Sequence, residues 1–256
     1  MKQEIDWDRE AHSYQAVFKT AGKSEYNERL MNFFRQELGL RPGMRVIDIG
    51  CGVGKYGTCF AELGCDVTLT DISGEMLKHA RENMAPYDVP CAFLRCDFND
   101  VSPDEPVFRK PFSLAISTMS PAIHDEETVR KMSGMCRGYC FISRFCSWQQ
   151  PIRDEYYRLS GTEPRHRMDS GHLRDDAQQM AETVRKAGFV PSVRIEDYCW
   201  TDMRTPEEAA RRFAGADASG AEYEKALETV VSLLNKDGKF EDSVNTQAAW
   251  IYWKTT

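Results

Sequence analysis

No stretch of this chain reaches the roughly 18 consecutive apolar residues that a membrane-crossing helix needs, so no transmembrane segment is expected. The start, Met1 to Asp8, lacks the apolar centre of a secretory signal. Basic charge is short as well: 33 Lys and Arg stand against 40 Asp and Glu, a formal net charge of -7. Phosphate-backbone binding needs a basic patch, so nucleic acid is not expected as the main partner. No Cys-x-x-Cys occurs among the nine cysteines, and Cys136, Cys140 and Cys146 lack zinc-knuckle spacing, so no metal site is expected. Cys59, Cys96 and Cys140 fall inside expected strands or helices, where a free thiol packs as a small apolar group. Internal repeats and low-complexity tracts are missing too. From these absences a cytoplasmic chain is expected, and its 256 residues are long enough for one large α/β domain with insertions.

What the chain does have is a dense glycine turn. Val46 to Ile49 is a short apolar strand, and Gly50, Gly52 and Gly54 alternate after it. Tyr56, Phe60, Ala61 and Leu63 then follow a helical stripe. Strand, glycine turn and helix form the nucleotide-binding opening of a doubly wound sheet. Glycines let the backbone pass close under a ligand, since no Cβ intervenes. A P-loop needs Gly-x4-Gly-Lys-Ser/Thr, but Tyr56 follows Gly54-Lys55 and position 49 is Ile, so it fails. The dinucleotide pattern Gly-x-Gly-x-x-Gly is met by Gly52 to Gly57, but out of register, because the strand ends before Gly50.

Asp48-Ile49-Gly50-Cys51-Gly52-Val53-Gly54 resembles motif I of the class I S-adenosylmethionine-dependent methyltransferases. Asp71 ends a second strand, 21 residues past Gly50, the spacing at which a carboxylate meets ribose hydroxyls. That spacing alone is shared with NAD sites. Asp97-Phe98 ends a third strand, and Phe112 to Thr118 resembles the family's fourth. The resemblance covers Arg45 to Phe145 well and the rest loosely. It departs at Ser113, where the family often has Asp. It implies S-adenosyl-L-methionine as cofactor, held by Tyr14, Asp48, Gly50, Cys51, Gly52, Gly54, Asp71, Ile72, Asp97, Phe98 and Thr118. In that reading Asp48 lies near the ammonium, Asp71 meets the ribose, Asp97 accepts from the adenine amino group, and strand four passes the sulfonium. The plain alternative for Asp71 and Asp97 is a helix or turn cap.

The rest of the chain alternates strand and helix, which means a parallel sheet covered on both faces. Strands are expected at 45–50, 66–71, 91–97, 113–118, 138–145, 191–200 and 248–254. Helices are expected at 25–38, 54–63, 73–84, 125–135 and 175–187. The implied fold is α/β, a doubly wound, seven-stranded, mostly parallel Rossmann-like methyltransferase sheet with helical insertions, its last strand between strands five and six. One domain is expected, with no second core. Residues 1–40 form a helical lid, 41–200 and 246–256 the nucleotide-binding core, and 146–174 and 201–245 insertions that shape an acceptor site.

The acceptor should stand beyond strands four and five. Ser120 is placed to hydrogen-bond it, His124 to take its proton and Arg144 to face the same edge. Their plain alternatives are a loop serine, a histidine at a helix start and a surface ion pair. Trp148, Tyr156, Tyr157, Arg158, Arg165, His166, Arg167, His172 and Arg174 make the only basic, aromatic stretch. Guanidiniums fork onto carboxylate or phosphate, so an anionic small molecule is one reading and a solvated face the other. A small-molecule methyltransferase, monomer or homodimer, is the leading expectation. A non-catalytic cofactor-binding regulator and an NAD-dependent oxidoreductase are the alternatives.

Overall fold

The computed structural model describes residues 4–20, 25–102, 105–106, 108, 111–163, 170–215 and 218–255. Contacts divide the chain into two compact units. The first holds the residues up to Arg144, Asp176–Ile195 and those from Ala249 on; the second holds Phe145–Asp175 and Glu196–Ala248.

The first unit begins with helices α1 (Glu4–Thr20) and α2 (Glu25–Gln36). Then strand and helix alternate: β1 (Arg45–Ile49), α3 (Lys55–Glu62), β2 (Asp66–Asp71), α4 (Gly74–Met84), β3 (Cys91–Arg95), β4 (Phe112–Thr118), α5 (Glu126–Gly134) and β5 (Cys136–Gln149). β1, β2 and β4 are buried almost throughout, as strands covered on both faces must be. β1 pairs in parallel with β2 and with β4, β2 with β3, and β4 with β5. The chain runs β1-β2-β3 outward and then returns to place β4 on the other side of β1. Strand order reverses there, and ligands of open α/β sheets bind outside the carboxyl ends at such a point.

α2 docks through Tyr26, Leu30, Met31, Phe33 and Phe34. Phe34 stacks on Phe60 at 5.7 Å and meets Phe141 edge-on at 4.9 Å. Burying such rings contributes roughly 1.5–3 kcal/mol each. The indole N–H groups of Trp250 and Trp253 find partners in the core: Tyr26 Oη at 2.8 Å and Ser133 Oγ at 3.0 Å. A buried indole donor left unpaired would cost much of that gain.

α7 (Ser170–Lys186), β6 (Ser192–Asp197) and β8 (Phe240–Lys254) complete the sheet, in the order β3-β2-β1-β4-β5-β8-β6. The last strand thus lies between β5 and β6. Two details depart from the sequence-based expectation. The sixth strand is split, with β7 (Trp200–Arg204) a separate, eighth strand paired antiparallel to β8. β8 begins at Phe240 rather than Ala248. Its first half, Phe-Glu-Asp-Ser-Val-Asn-Thr-Gln, alternates buried with exposed, but Asp242 and Thr246 occupy buried positions, so hydropathy hides the period of two.

The second unit contains α6 (Pro151–Ser160), β7, α8 (Pro206–Ala214), α9 (Gly220–Val231) and the start of β8. Capping boxes start α8 (Thr205 with Glu208) and α9 (Ser219 with Glu222). Tyr156, Ala209, Ala210, Ala226, Val230 and Phe240 form its own apolar cluster. The sequence reading expects no second core; small residues on α8 and α9 hide this one, because Ala209, Ala210 and Ala226 carry little hydropathy signal. Among the described residues no helix is long and apolar enough to cross a membrane.

Candidate active site

The glycine turn hangs from β2. The N–H groups of Gly50 and Cys51 both donate to the Thr70 carbonyl, at 2.8 and 2.9 Å. Gly50, Gly52 and Gly54 have φ of +71°, +55° and +81°, a region that a side chain disfavours. Their surroundings differ. A Cβ on Gly50 would lie 1.9 Å from Ser120 Oγ, so the loop after β4 closes directly onto this residue. A Cβ on Gly52 would meet nothing nearer than Met76 Sδ at 4.0 Å. Gly52 therefore presents backbone to open space, and Gly50 presents it to Ser120.

Asp71 ends β2 and braces that turn. Its Oδ2 accepts the Gly52 N–H at 2.8 Å, and its Oδ1 accepts the Ser73 N–H at 2.9 Å. Burial raises its pKa, and these N–H groups oppose the rise. A carboxylate has about four acceptor sites, so the carboxyl keeps capacity for further donors. Asp48, on β1 just below the turn, is buried with neither oxygen hydrogen-bonded. Burial, then the charge of Asp71, pushes its carboxyl up to about 8. Cys51 is also buried, and burial followed by the charges of Asp48 and Asp71 keeps its thiol protonated.

Asp97 Oδ1 accepts the backbone N–H and side-chain amide of Asn99, at 2.9 and 2.8 Å, in a local turn. Phe98 is buried beside it, and Ile72 is half-buried after Asp71. Thr118 closes β4, buried, in register with Ser143 of β5. Met119 follows with φ of +50°, the one non-glycine residue in the left-handed region among those described. Its N–H is tied to the Ser143 carbonyl at 3.1 Å. Such a backbone costs on the order of 1–2 kcal/mol. It turns the chain so that Ser120, itself buried, lands on Gly50 and accepts the Ala122 N–H at 3.3 Å.

The other two expected acceptor residues are placed differently. Arg144 points into the fold. Its Nη2 donates to the Ile123 carbonyl at 2.6 Å, its Nη1 to the Ser143 carbonyl at 3.1 Å, and its Nε lies 3.8 Å from Asp176. Burial lowers its pKa, and Asp176 opposes this. It fastens the loop that carries Ser120. His124 sits beside the start of α5, its ring 3.6 Å from Asp125, in a groove shared with Asp176, Glu182 and Lys186. Within the basic stretch, Arg158 is exposed and paired with Glu155, and Tyr156 stacks on Phe213 at 3.8 Å. Arg165, His166 and Arg167 lie outside the described residues.

α1 falls within residues 1–40, the stretch expected as a helical lid. α1 lies along α4 and over the turn, with Ala11, Trp7 and Phe18 packed on Val53 and Met76. Asp8 Oδ1 accepts from Ser73 Oγ at 2.5 Å and from the Glu75 N–H at 3.2 Å, which places a carboxylate at the positive end of α4. Gln15 and Asn83 exchange amide hydrogen bonds, and Asn83 also donates to the Val53 carbonyl at 2.9 Å. Glu4 pairs with Arg95. Tyr14 is exposed, its ring edge-on to Trp7. Ser73 caps α4 by accepting the Met76 N–H, and its second partner, Asp8, lies 65 positions away.

Residues 46–138 match the family described as "Methyltransferase domain". Over 65 residues the chain is 34% identical to the ubiquinone biosynthesis O-methyltransferase of Xanthomonas campestris pv. campestris, covering 25% of this chain and 27% of that protein. Over 47 residues it is 49% identical to the malonyl-[acyl-carrier protein] O-methyltransferase of Erwinia pyrifoliae, covering 18% of each. The chain thus matches only about a quarter or less of the length of these curated relatives. In structure it resembles phosphoethanolamine N-methyltransferase 2 of Haemonchus contortus, solved with S-adenosyl-L-methionine, with a TM-score of 0.54, 19% identity, and coverage of 96% of this chain and 57% of that one. It also resembles the YcgJ protein of Bacillus subtilis, with a TM-score of 0.50, 16% identity, and coverage of 89% and 98%. At such identities the structural likeness establishes fold. Residues 46–138 thus match a methyltransferase domain, and the chain shares the fold of these solved structures.

Proposed function

We propose that this chain binds S-adenosyl-L-methionine on its glycine turn and transfers the methyl group to a small-molecule acceptor. The observation that carries the reading is Asp48: a buried carboxyl with no hydrogen-bond partner, directly below a turn of left-handed glycines. Unsatisfied buried carboxyls are rare and call for an explanation. A cationic ligand above the turn supplies one, since a nearby positive charge favours the ionised form.

Bound, the cofactor supplies a methyl group on a sulfonium, a good leaving group for in-line displacement. The chain's residues then have positioning tasks. Gly52 offers backbone, and Asp71 offers its remaining acceptor capacity to the ribose. Asp97, with Oδ1 committed to Asn99, offers Oδ2 to the adenine, with Ile72 and Phe98 as apolar neighbours. Thr118 and Ser120 stand where β4 meets the turn, and Arg144 acts as a positioning residue that fixes their loop. α1 shields the turn from water and brings Tyr14, whose aromatic face suits a sulfonium. A general base is needed only for an acceptor that arrives protonated. The placement of His124 beside Asp125 favours a helix-start role for it. Nine free cysteines support a reducing, cytoplasmic setting.

Calorimetric titration with S-adenosylmethionine and with NAD, followed by an assay for S-adenosylhomocysteine release over a panel of small acceptors, tests the proposal. Saturable binding of the first compound with acceptor-dependent release is expected. Preferential binding of NAD would overturn the cofactor assignment. Binding with no release over a broad panel would favour a non-catalytic regulator.

A further inference from the structure

The second unit holds a polar cluster that the methyl-transfer reading does not use. Gln150 and Asp242 are both buried, and Gln150 Nε2 donates to both Asp242 oxygens, at 2.7 and 2.8 Å. Arg153 Nη1 donates to Gln150 Oε1 at 3.0 Å. Asp202 is the register partner of Asp242 on the adjoining strand, and Arg204 Nη2 donates to it at 2.8 Å. Arg212, on α8, lies within electrostatic range of Arg153, Arg204, Asp202 and Asp242. Three guanidiniums thus gather around two carboxylates.

The pairing is uneven. Asp242 is taken up by a neutral amide rather than by an arginine. Arg153 spends its bond on a neutral oxygen. Arg204 keeps its Nε buried and without a hydrogen-bond partner. Arg212 makes no hydrogen bond or ion pair to another described residue. Packing around the Arg212 guanidinium, and then repulsion from Arg204, lower its pKa even though the residue as a whole is exposed. Like charges held together around a buried, unsatisfied donor raise the energy of the ligand-free cluster. A group with several acceptor oxygens and negative charge would relieve both deficits at once. Guanidinium forks fit carboxylate and phosphate oxygens in bidentate geometry.

We propose that Arg153, Arg204 and Arg212 form a binding site for a small oxyanion, a phosphate monoester or a carboxylate. Arg204 offers its free Nε edge, and Arg212 its unengaged fork. Asp202 and Asp242 hold the neighbouring side chains in place and limit the site to a single compact anion.

The test uses the full chain without S-adenosylmethionine, so a failure of the cofactor reading leaves it unaffected. Inorganic phosphate is titrated by calorimetry at constant ionic strength, and sodium acetate is titrated separately and as a competitor. One saturable site is expected, with Kd on the order of a millimolar or tighter. Arg212→Gln and Arg153→Gln should each weaken it about tenfold or more, Arg212→Lys less, and Arg130→Gln on α5 not at all. Phosphate binding that acetate cannot displace assigns a phosphate monoester, and displacement assigns a carboxylate. No saturable binding of either probe would overturn the site, as would binding that neither glutamine variant weakens or that chloride displaces equally well.

Discussion

At the scale of single residues, Asp71 and Asp48 each give a test of the proposed cofactor site. Asp71 is expected to hold the ribose while bracing Gly52. Asp71→Ala should weaken S-adenosylmethionine binding roughly ten- to a hundredfold, the worth of charge-assisted hydrogen bonds of about 1.5–3 kcal/mol. It should also lower thermal stability, because the N–H groups of Gly52 and Ser73 lose their acceptor. Unchanged affinity in a folded variant would remove Asp71 from the site. Asp48 gives a prediction in pH. Its carboxyl stands at about 8 in the fold, against 3.8 as a free side chain. Below pH 4 it is protonated in both states and costs nothing. Between 4 and 8 the unfolded chain loses this proton while the folded chain keeps it, so its contribution to stability falls by about 1.4 kcal/mol per pH unit, levelling off above 8. Asp48→Asn removes that slope. The difference in melting temperature, variant minus wild type, should therefore rise steadily from pH 5 to pH 8; a constant difference would mean that Asp48 is ionised throughout. The place of Asp71 at the end of β2, beside the glycine turn, was legible from the sequence. The protonated state of Asp48 was not, because it depends on burial among residues distant in sequence.

At the scale of elements, α1 lies in the stretch expected as a lid, but its docking partners were not readable from the sequence. It is 17 residues long and would be a marginal helix alone. Its order comes from docking: Asp8 on the start of α4, Gln15 on Asn83, and Ala11 and Phe18 on Val53 and Met76. These contacts link the helix to the same turn that is expected to hold the cofactor. Asp8→Ala should therefore speed amide exchange across residues 4–18 and weaken cofactor affinity severalfold, and S-adenosylhomocysteine should slow that exchange in the wild type. Equal exchange with and without ligand would leave α1 a fixed part of the core. The parallel strands and their crossover helices were readable within a few residues, since apolar runs and glycines mark them locally. β7 and the first half of β8 were not. β7 has no buried position to mark it, and the buried positions of β8 carry Asp242 and Thr246, whose partners Gln150 and Ser147 only the fold brings together.

At the scale of the whole molecule, the glycine turn, Asp48, Asp71, Asp97, Thr118, Ser120 and α1 all belong to the first unit, while the arginine cluster belongs to the second. This was the hardest feature to read from the sequence, because a division into units is a property of contacts and not of composition: the chain crosses between the units inside β5, α7, β6 and β8, with no linker to mark the boundary. It has a measurable consequence. A ligand that binds only the folded state stabilises it by about 2.7 kcal/mol when present at a hundred times its Kd. For a unit of this size, that raises the melting temperature by roughly 5–10 °C. S-adenosylmethionine and S-adenosylhomocysteine at saturating concentration should both produce such a rise, and NAD at the same concentration should produce none. Where a calorimetric scan resolves two transitions, the cofactor should move only one of them, and Asp71→Ala should abolish that movement. Phosphate, acting through Arg153, Arg204 and Arg212, should move the other. Two transitions that respond equally to both ligands would show that the units unfold as one. A rise with NAD equal to that with S-adenosylmethionine would mean that the glycine turn holds a nucleotide without selecting the methyl donor.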